Sequence, residues 1–132
     1  MTTLLGVDVG TTATKAVLLD TDRGLVAQSE RPTTLHSERP GWAEEDAEEW
    51  WSNLASLTRE LARHGPPDAV GVSGMVPCVV LLDEAGLPLR RSIQQNDARA
   101  TAEIEELKVE LAGIDILERT GSPITQQSVA PT

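Results

Sequence analysis

Apolar positions come in short runs at the start of this chain, and the runs are too short and too close together for helices. Residues 4–9 and 14–20 read as two strands around a tight turn. A second turn, Thr21-Asp22-Arg23-Gly24, leads into a third strand from Leu25 to about Arg31. Strands joined this way form an antiparallel meander. Residues 32–45, which carry Pro32, Pro40 and Gly41, read as an extended surface loop. The period then changes. Asp46 with Glu49 three positions on has the form of a capping box, and Trp50, Leu54, Leu57 and Leu61 put one apolar stripe on a helix over about 47–63. His64-Gly65-Pro66-Pro67 ends it. Residues 69–73 and 79–83 read as buried strands, followed by a turn over 84–88. Asp97 is placed to cap a second helix, where Ala100, Ile104, Leu107 and Leu111 share a face until Gly113 stops it. A short helix near 114–119 and a polar tail, Thr120–Thr132, complete the pattern. The order predicts an α/β fold: a mixed sheet with an antiparallel N-terminal meander, packed by helices.

Composition narrows this picture. The 132 residues suit one domain, or one lobe of something larger. There are three Trp but no Phe and no Tyr, so the core has to be built from Leu, Val, Ile and Ala. A net charge of −10 argues against a nucleic-acid or anionic-membrane surface, which needs clustered Lys and Arg. It leaves room for a nucleotide, for which a few local donors and a metal ion suffice. One cysteine, Cys78, can form no intramolecular disulfide and fits a reducing compartment. No basic leader precedes the first strand and no run has the length of a membrane span, so the expected location is cytoplasmic.

The chemistry gathers at the first turn, Asp8-Val9-Gly10-Thr11-Thr12-Ala13-Thr14-Lys15. Gly10 permits a tight turn, and the following N–H groups with the Thr11 and Thr12 hydroxyls can donate to phosphate oxygens. Asp8 can hold a hydrated Mg²⁺, and Lys15 can meet the charge of a terminal phosphoryl group. A hairpin with a polar turn and no ligand would use the same residue types. A strand follows the turn rather than a helix, which separates it from dinucleotide-binding folds.

Three segments in register identify a resemblance. Gly6-Val7-Asp8-Val9-Gly10-Thr11-Thr12 with Lys15 is the first, and Pro40-Gly41-Trp42-Ala43-Glu44-Glu45-Asp46 leading to Glu49-Trp50-Trp51 is the second. The third runs from Val70-Gly71-Val72-Ser73-Gly74 through Leu81-Leu82-Asp83 and Pro88-Leu89-Arg90 to Asn96-Asp97-Ala98-Arg99-Ala100. Together they resemble the N-terminal part of the FGGY carbohydrate kinases, in particular the xylulokinase-like branch, and Thr120-Gly121-Ser122-Pro123 extends the match. The resemblance implies a ribonuclease-H-like lobe of the actin and hexokinase type, of which residues 1–132 are the N-terminal portion, without the second domain. It implies ATP and Mg²⁺ as cofactors and a sugar or polyol of the pentulose or hexulose class as substrate. A homodimer is an option it leaves open for the full-length enzyme. Asp8 matches the family's metal-associated carboxylate, Gly10, Thr11 and Thr12 its phosphate hairpin, and Lys15 its basic position. Met75, Val76, Pro77, Gln95, Asn96 and Asp97 fall at its sugar-binding positions, with Arg99 beside them.

The sugar positions depart from the family pattern. Xylulokinases commonly carry Gly-Gln-Met-His-Gly where this chain has Gly74-Met75-Val76-Pro77-Cys78, and a Trp where it has Gln95. Pro77 brings no side-chain donor and Gln95 replaces an aromatic wall with an amide, which favours a polyol or keto sugar related to xylulose over xylulose itself. Plainer roles compete at several positions: Asp97 as an N-cap, the three Trp as packing residues, Cys78 as a small buried hydrophobe. The acidic runs Glu44–Glu49 and Glu103–Glu110 read as solvated faces and caps, and His36 and His64 carry no catalytic assignment. The family's catalytic base and adenosine site lie beyond residue 132. No catalytic base is therefore assigned here, and the chain reads as a fragment, inactive by itself. An actin-like nucleotide-binding module without a sugar substrate is the alternative.

Overall fold

A computed structural model describes residues 2–125, so most of the expected polar tail lies outside the described residues. In chain order the elements are β1 (Thr3–Val9), β2 (Ala13–Asp20), β3 (Gly24–Pro32), β4 (Glu44–Glu45), α1 (Ala47–Leu61), β5 (Ala69–Gly74), β6 (Ser92–Ile93), α2 (Thr101–Glu110) and α3 (Ile116–Thr120). A single 3₁₀ turn, Ala62–His64, extends α1. They divide into two compact units, Met1–Thr34 with Asp46–Met75, and Leu35–Glu45 with Val76–Thr132.

The first unit holds a four-stranded sheet in the order β3-β2-β1-β5. β2 is antiparallel to both β1 and β3, and β5 runs parallel to β1. This is the expected mixed sheet with its N-terminal meander. Alternation along β1 and β2 sends Leu5, Val7, Ala16 and Leu18 to one face, where they form the core with Leu57 and Leu61 of α1. Val9, Val26, Ala27 and Leu54 pack around them. Asp20, buried at the end of β2, closes the next turn by accepting the N–H groups of Asp22 (2.9 Å) and Arg23 (3.0 Å).

Asp46 caps α1 as expected, accepting from the Glu48 N–H at 2.9 Å. The capping box does not close, because Glu49 turns outward. Its carboxylate accepts instead from the N–H (2.8 Å) and hydroxyl (2.9 Å) of Thr34, tying the end of the meander to the helix. β5 departs from the buried strand predicted. All six residues are exposed, with Val70 at 59% and Val72 at 64%, although Val72 stands in register with buried Val7. The reason is coverage: α1 packs over β1, β2 and β3.

The second unit is built from a smaller sheet, β4 antiparallel to β6, with α2 and α3. The expected surface loop 32–45 therefore ends in a strand, and His36 bridges to Glu44 before it. Glu44 and Glu45 are buried, against the expectation of a solvated acidic run. Residues 79–83 make no strand. Only isolated bridges occur, Val79 to Ile93 and Leu82 to Pro88, because the Asp83 carboxylate accepts from Ala85 and Leu87 N–H and folds the segment back on itself. α2 begins at Thr101, with Ala100 at the cap position and no side-chain cap, so Asp97 does not cap it. Within the predicted stripe Ala100 and Ile104 are buried, and Leu107 and Leu111 half-buried. α3 starts from a true cap, the Asp115 carboxylate accepting from Glu118 N–H at 2.9 Å.

Leu57 is fully buried where α1 meets the sheet. Leu57→Ala is expected to destabilise the fold by about 3 kcal/mol, and the partly buried Leu54→Ala by less, read as the shift in urea unfolding midpoint.

Candidate functional site

The first turn is shaped by a close approach. Gly10 N–H donates to Ala13 O at 3.1 Å, and a Cβ on Gly10 would stand 3.1 Å from that oxygen and 3.5 Å from Asp8 Oδ2. A side chain there would crowd the Ala13 carbonyl and make the turn give by a few tenths of an ångström, while merely touching the carboxylate. Thr11 and Thr12 are exposed at the tip, and Thr12 O accepts from Thr33 N–H, which anchors the turn to the end of β3.

Register gathers the other groups. Asp8 pairs with Lys15 on β2 and with Ser73 on β5, and Lys15 pairs in turn with Glu30 on β3. Directly paired residues share a face, so Ser73, Asp8, Lys15 and Glu30 form a row across the sheet on the side opposite α1. Ser73 Oγ donates to Asp8 Oδ1 at 2.5 Å. Beside this row, Gly71 pairs with Gly6 and Gly6 with Val17. Two neighbouring glycines leave the backbone bare there, and the resulting open concavity of ≈ 460 Å³ is lined by Gly6, Gly71, Val17, Asp8, Lys15 and Ser73. A carboxylate, an ammonium and a hydroxyl thus border a depression where a ligand can lie close to main chain.

The predicted sugar positions divide between the units. Met75 belongs to the first, its N–H donating to Val9 O at 3.2 Å. Val76, Pro77, Gln95, Asn96 and Asp97 belong to the second. Val76 and Asn96 are exposed, and Pro77 and Gln95 half-buried. Cys78 is half-buried rather than fully so; its thiol donates to Gln94 Oε1 at 3.3 Å, and burial pushes its pKa up.

Asp97 is 0% exposed and both its oxygens are engaged. Oδ2 accepts from Ala43 N–H (2.6 Å) and an Arg99 guanidinium N–H (2.8 Å), while Oδ1 accepts from Arg99 N–H (2.9 Å) and Nε (2.8 Å). Arg99 also reaches Glu44 Oε1 at 2.9 Å, and Arg90 reaches the same oxygen at 2.5 Å. The Arg99 guanidinium lies 3.9 Å from the centroid of the Trp42 ring, and that of Arg39 lies 4.7 Å from it. Asp97 is the hub of a frame that joins Gly41–Glu44 to residues 94–99. Trp42 packs as expected, though against cations rather than aliphatic side chains. Glu44, which binds Arg90 and Arg99, and Ser73, which bonds Asp8, are the residues in these clusters that sequence reasoning did not single out. Their only signal was membership of the second and third segments quoted above.

Burial by itself would raise the Asp97 carboxyl, but the bonds from Arg99 and Ala43 outweigh it and hold the pKa below its ordinary value. Burial likewise opposes, and Arg90 and Arg99 overcome, in Glu44. A carboxyl lowered in the fold adds stability that is complete above the ordinary range, near ~4, and is lost as pH falls through the lowered value. The protein should therefore weaken below about pH 4. Asp97→Asn should cost about 2 kcal/mol at pH 7 and flatten that acid limb, measured by urea unfolding at pH 7 and pH 3.

Comparison with known proteins agrees with this geometry. Residues 3–131 match the N-terminal domain of the FGGY family of carbohydrate kinases. A glycerol kinase of Citrifermentans bemidjiense is 35% identical over 124 residues, covering 89% of this chain and 25% of the relative. A xylulose kinase of Klebsiella pneumoniae is 31% identical over 107 residues, covering 79% and 22%. The crystal structure of xylulose kinase from Rhodospirillum rubrum superposes with a TM-score of 0.89 at 45% identity, covering 95% of this chain and 27% of that one. The chain thus spans about a quarter of the length of these relatives. Its sheet order, its hairpin and its match over residues 3–131 place it in the FGGY family of carbohydrate kinases, as an N-terminal domain portion of the actin- and hexokinase-like lobe.

Proposed function

We propose that the protein carrying this chain is an ATP-dependent kinase that phosphorylates a hydroxyl of a sugar or polyol, this chain supplying the phosphate hairpin and part of the sugar pocket. The row of Asp8, Lys15 and Ser73 beside the Gly10 turn carries the reading. Phosphoryl transfer needs positioning and charge neutralisation more than covalent chemistry, and these groups supply both. Lys15 can meet negative charge as it develops on the transferred group. The N–H groups and hydroxyls at Thr11 and Thr12 can cradle phosphate oxygens.

The residues present fit Mg²⁺. Asp8 offers a hard oxygen, Oδ2, near the turn, while Oδ1 is taken by Ser73. Among the described residues there is no group of three or more His, Cys, Asp and Glu that could cage a metal, which suits an ion held through water and nucleotide phosphates. When bound, such an ion would neutralise phosphate charge during transfer.

The substrate is proposed to be a polyol or keto sugar of the pentulose or hexulose class other than xylulose. Relatives named as glycerol and xylulose kinases support a polyol or sugar substrate in general, while Pro77 and Gln95 replace the His and Trp of the xylulokinase pattern. A catalytic base contributed from beyond residue 132, inactivity of the chain alone and a cytoplasmic location belong to the same reading. The single Cys78 supports the last of these.

The test is ADP release by the complete protein across a panel of polyols and ketoses. At least one should stimulate release strongly, whereas hydrolysis indifferent to every sugar would favour a nucleotide-binding module instead. Asp8→Asn and Lys15→Met should each lower kcat on the order of 100-fold with little change in sugar KM.

A further inference from the structure

We propose that Ser73 is a positioning residue for Asp8, an inference that rests on the kinase reading above. Its hydroxyl holds one carboxylate oxygen so that the other stays turned toward the Gly10 turn. The 2.5 Å separation between Ser73 Oγ and Asp8 Oδ1 is at the short end for a hydroxyl on an ionised carboxylate. The parallel pairing of β1 with β5 sets both residues side by side, so the bond is a consequence of register.

Asp8 needs such a holder. Rotation of a carboxylate about its last side-chain torsion is broad, with no sharp preference to fix it. Lys15, directly across on β2, makes no ion pair with Asp8 among the described residues. Ser73 is the hydrogen-bond donor recorded on that carboxylate, and it leaves Oδ2 3.5 Å from where a Gly10 Cβ would stand. Ser73 is itself exposed, so its hydroxyl contributes little to packing and its effect should fall on function.

The test uses the complete protein and two readouts. The first is Mn²⁺ affinity of the protein·ADP complex, titrated by electron paramagnetic resonance. The second is steady-state kinetics with the best sugar or polyol. Ser73→Ala should weaken Mn²⁺ binding about 10-fold and lower kcat by a similar factor, with sugar KM and thermal midpoint unchanged. Ser73→Thr, which restores the hydroxyl, should recover most of both. In an Asp8→Asn background Ser73→Ala should have no further effect, because Ser73 acts through Asp8. Unchanged Mn²⁺ affinity and kcat in Ser73→Ala would overturn the proposal. So would an effect of equal size in the Asp8→Asn background, or a loss that follows the thermal midpoint and is not recovered by threonine. If Asp8→Asn itself alters neither readout, the kinase assignment of Asp8 fails instead, a result distinct from a silent Ser73.

Discussion

The register of β1 governs the first unit. This strand is paired on both sides, antiparallel to β2 and parallel to β5, and its period of two splits its residues between opposite tasks. Leu5 and Val7 go to the core under α1, while Gly6 and Asp8 go to the open face. A slip of one residue against either neighbour would bury Asp8 and expose Val7, at a cost no short strand could sustain. The same pairing lays Lys15 and Ser73 beside Asp8 and sets Gly71 beside Gly6. Hydrophobic burial on one face thus fixes the arrangement of charge on the other.

The second unit depends on a different kind of constraint. Its sheet is two residues per strand, too small to order the surrounding loops through main-chain bonds alone. Asp97 takes over this work by binding Arg99 and the Ala43 N–H, and Glu44 extends the frame to Arg90. Stacking of the Arg99 guanidinium on Trp42 shields one face of that cation while leaving its N–H groups to the carboxylates. Arg99, raised chiefly by its bonds to Asp97, stays charged throughout the range in which its partners are ionised.

Legibility followed the range of the interactions. The three N-terminal strands, the Asp46 cap and the Leu57–Leu61 stripe were readable because each depends on neighbours a few residues away. Glu49 was misread because its partner, Thr34, is supplied by a different segment. Val79–Asp83 has the apolar content of a strand, yet the Asp83 turn claims its backbone first. Asp97 has the local form of a cap, but Arg99 two positions on offers an ionised partner, and the α2 start shifts to Thr101. Ser73 carried no signal beyond its place in the third matched segment, since a serine in a strand gives no hint of the residue across from it.

By itself the sequence determined the α/β class, the hairpin at Gly10 and the carboxylate and ammonium flanking it through local pattern, and membership of a kinase family through the resemblance of three segments in register. Only the tertiary structure decided that Ser73 bonds Asp8, that Glu44 is buried and that Asp97 is a structural hub. Each of these joins residues tens of positions apart, and pairing at that distance is set by register and packing, not by local pattern.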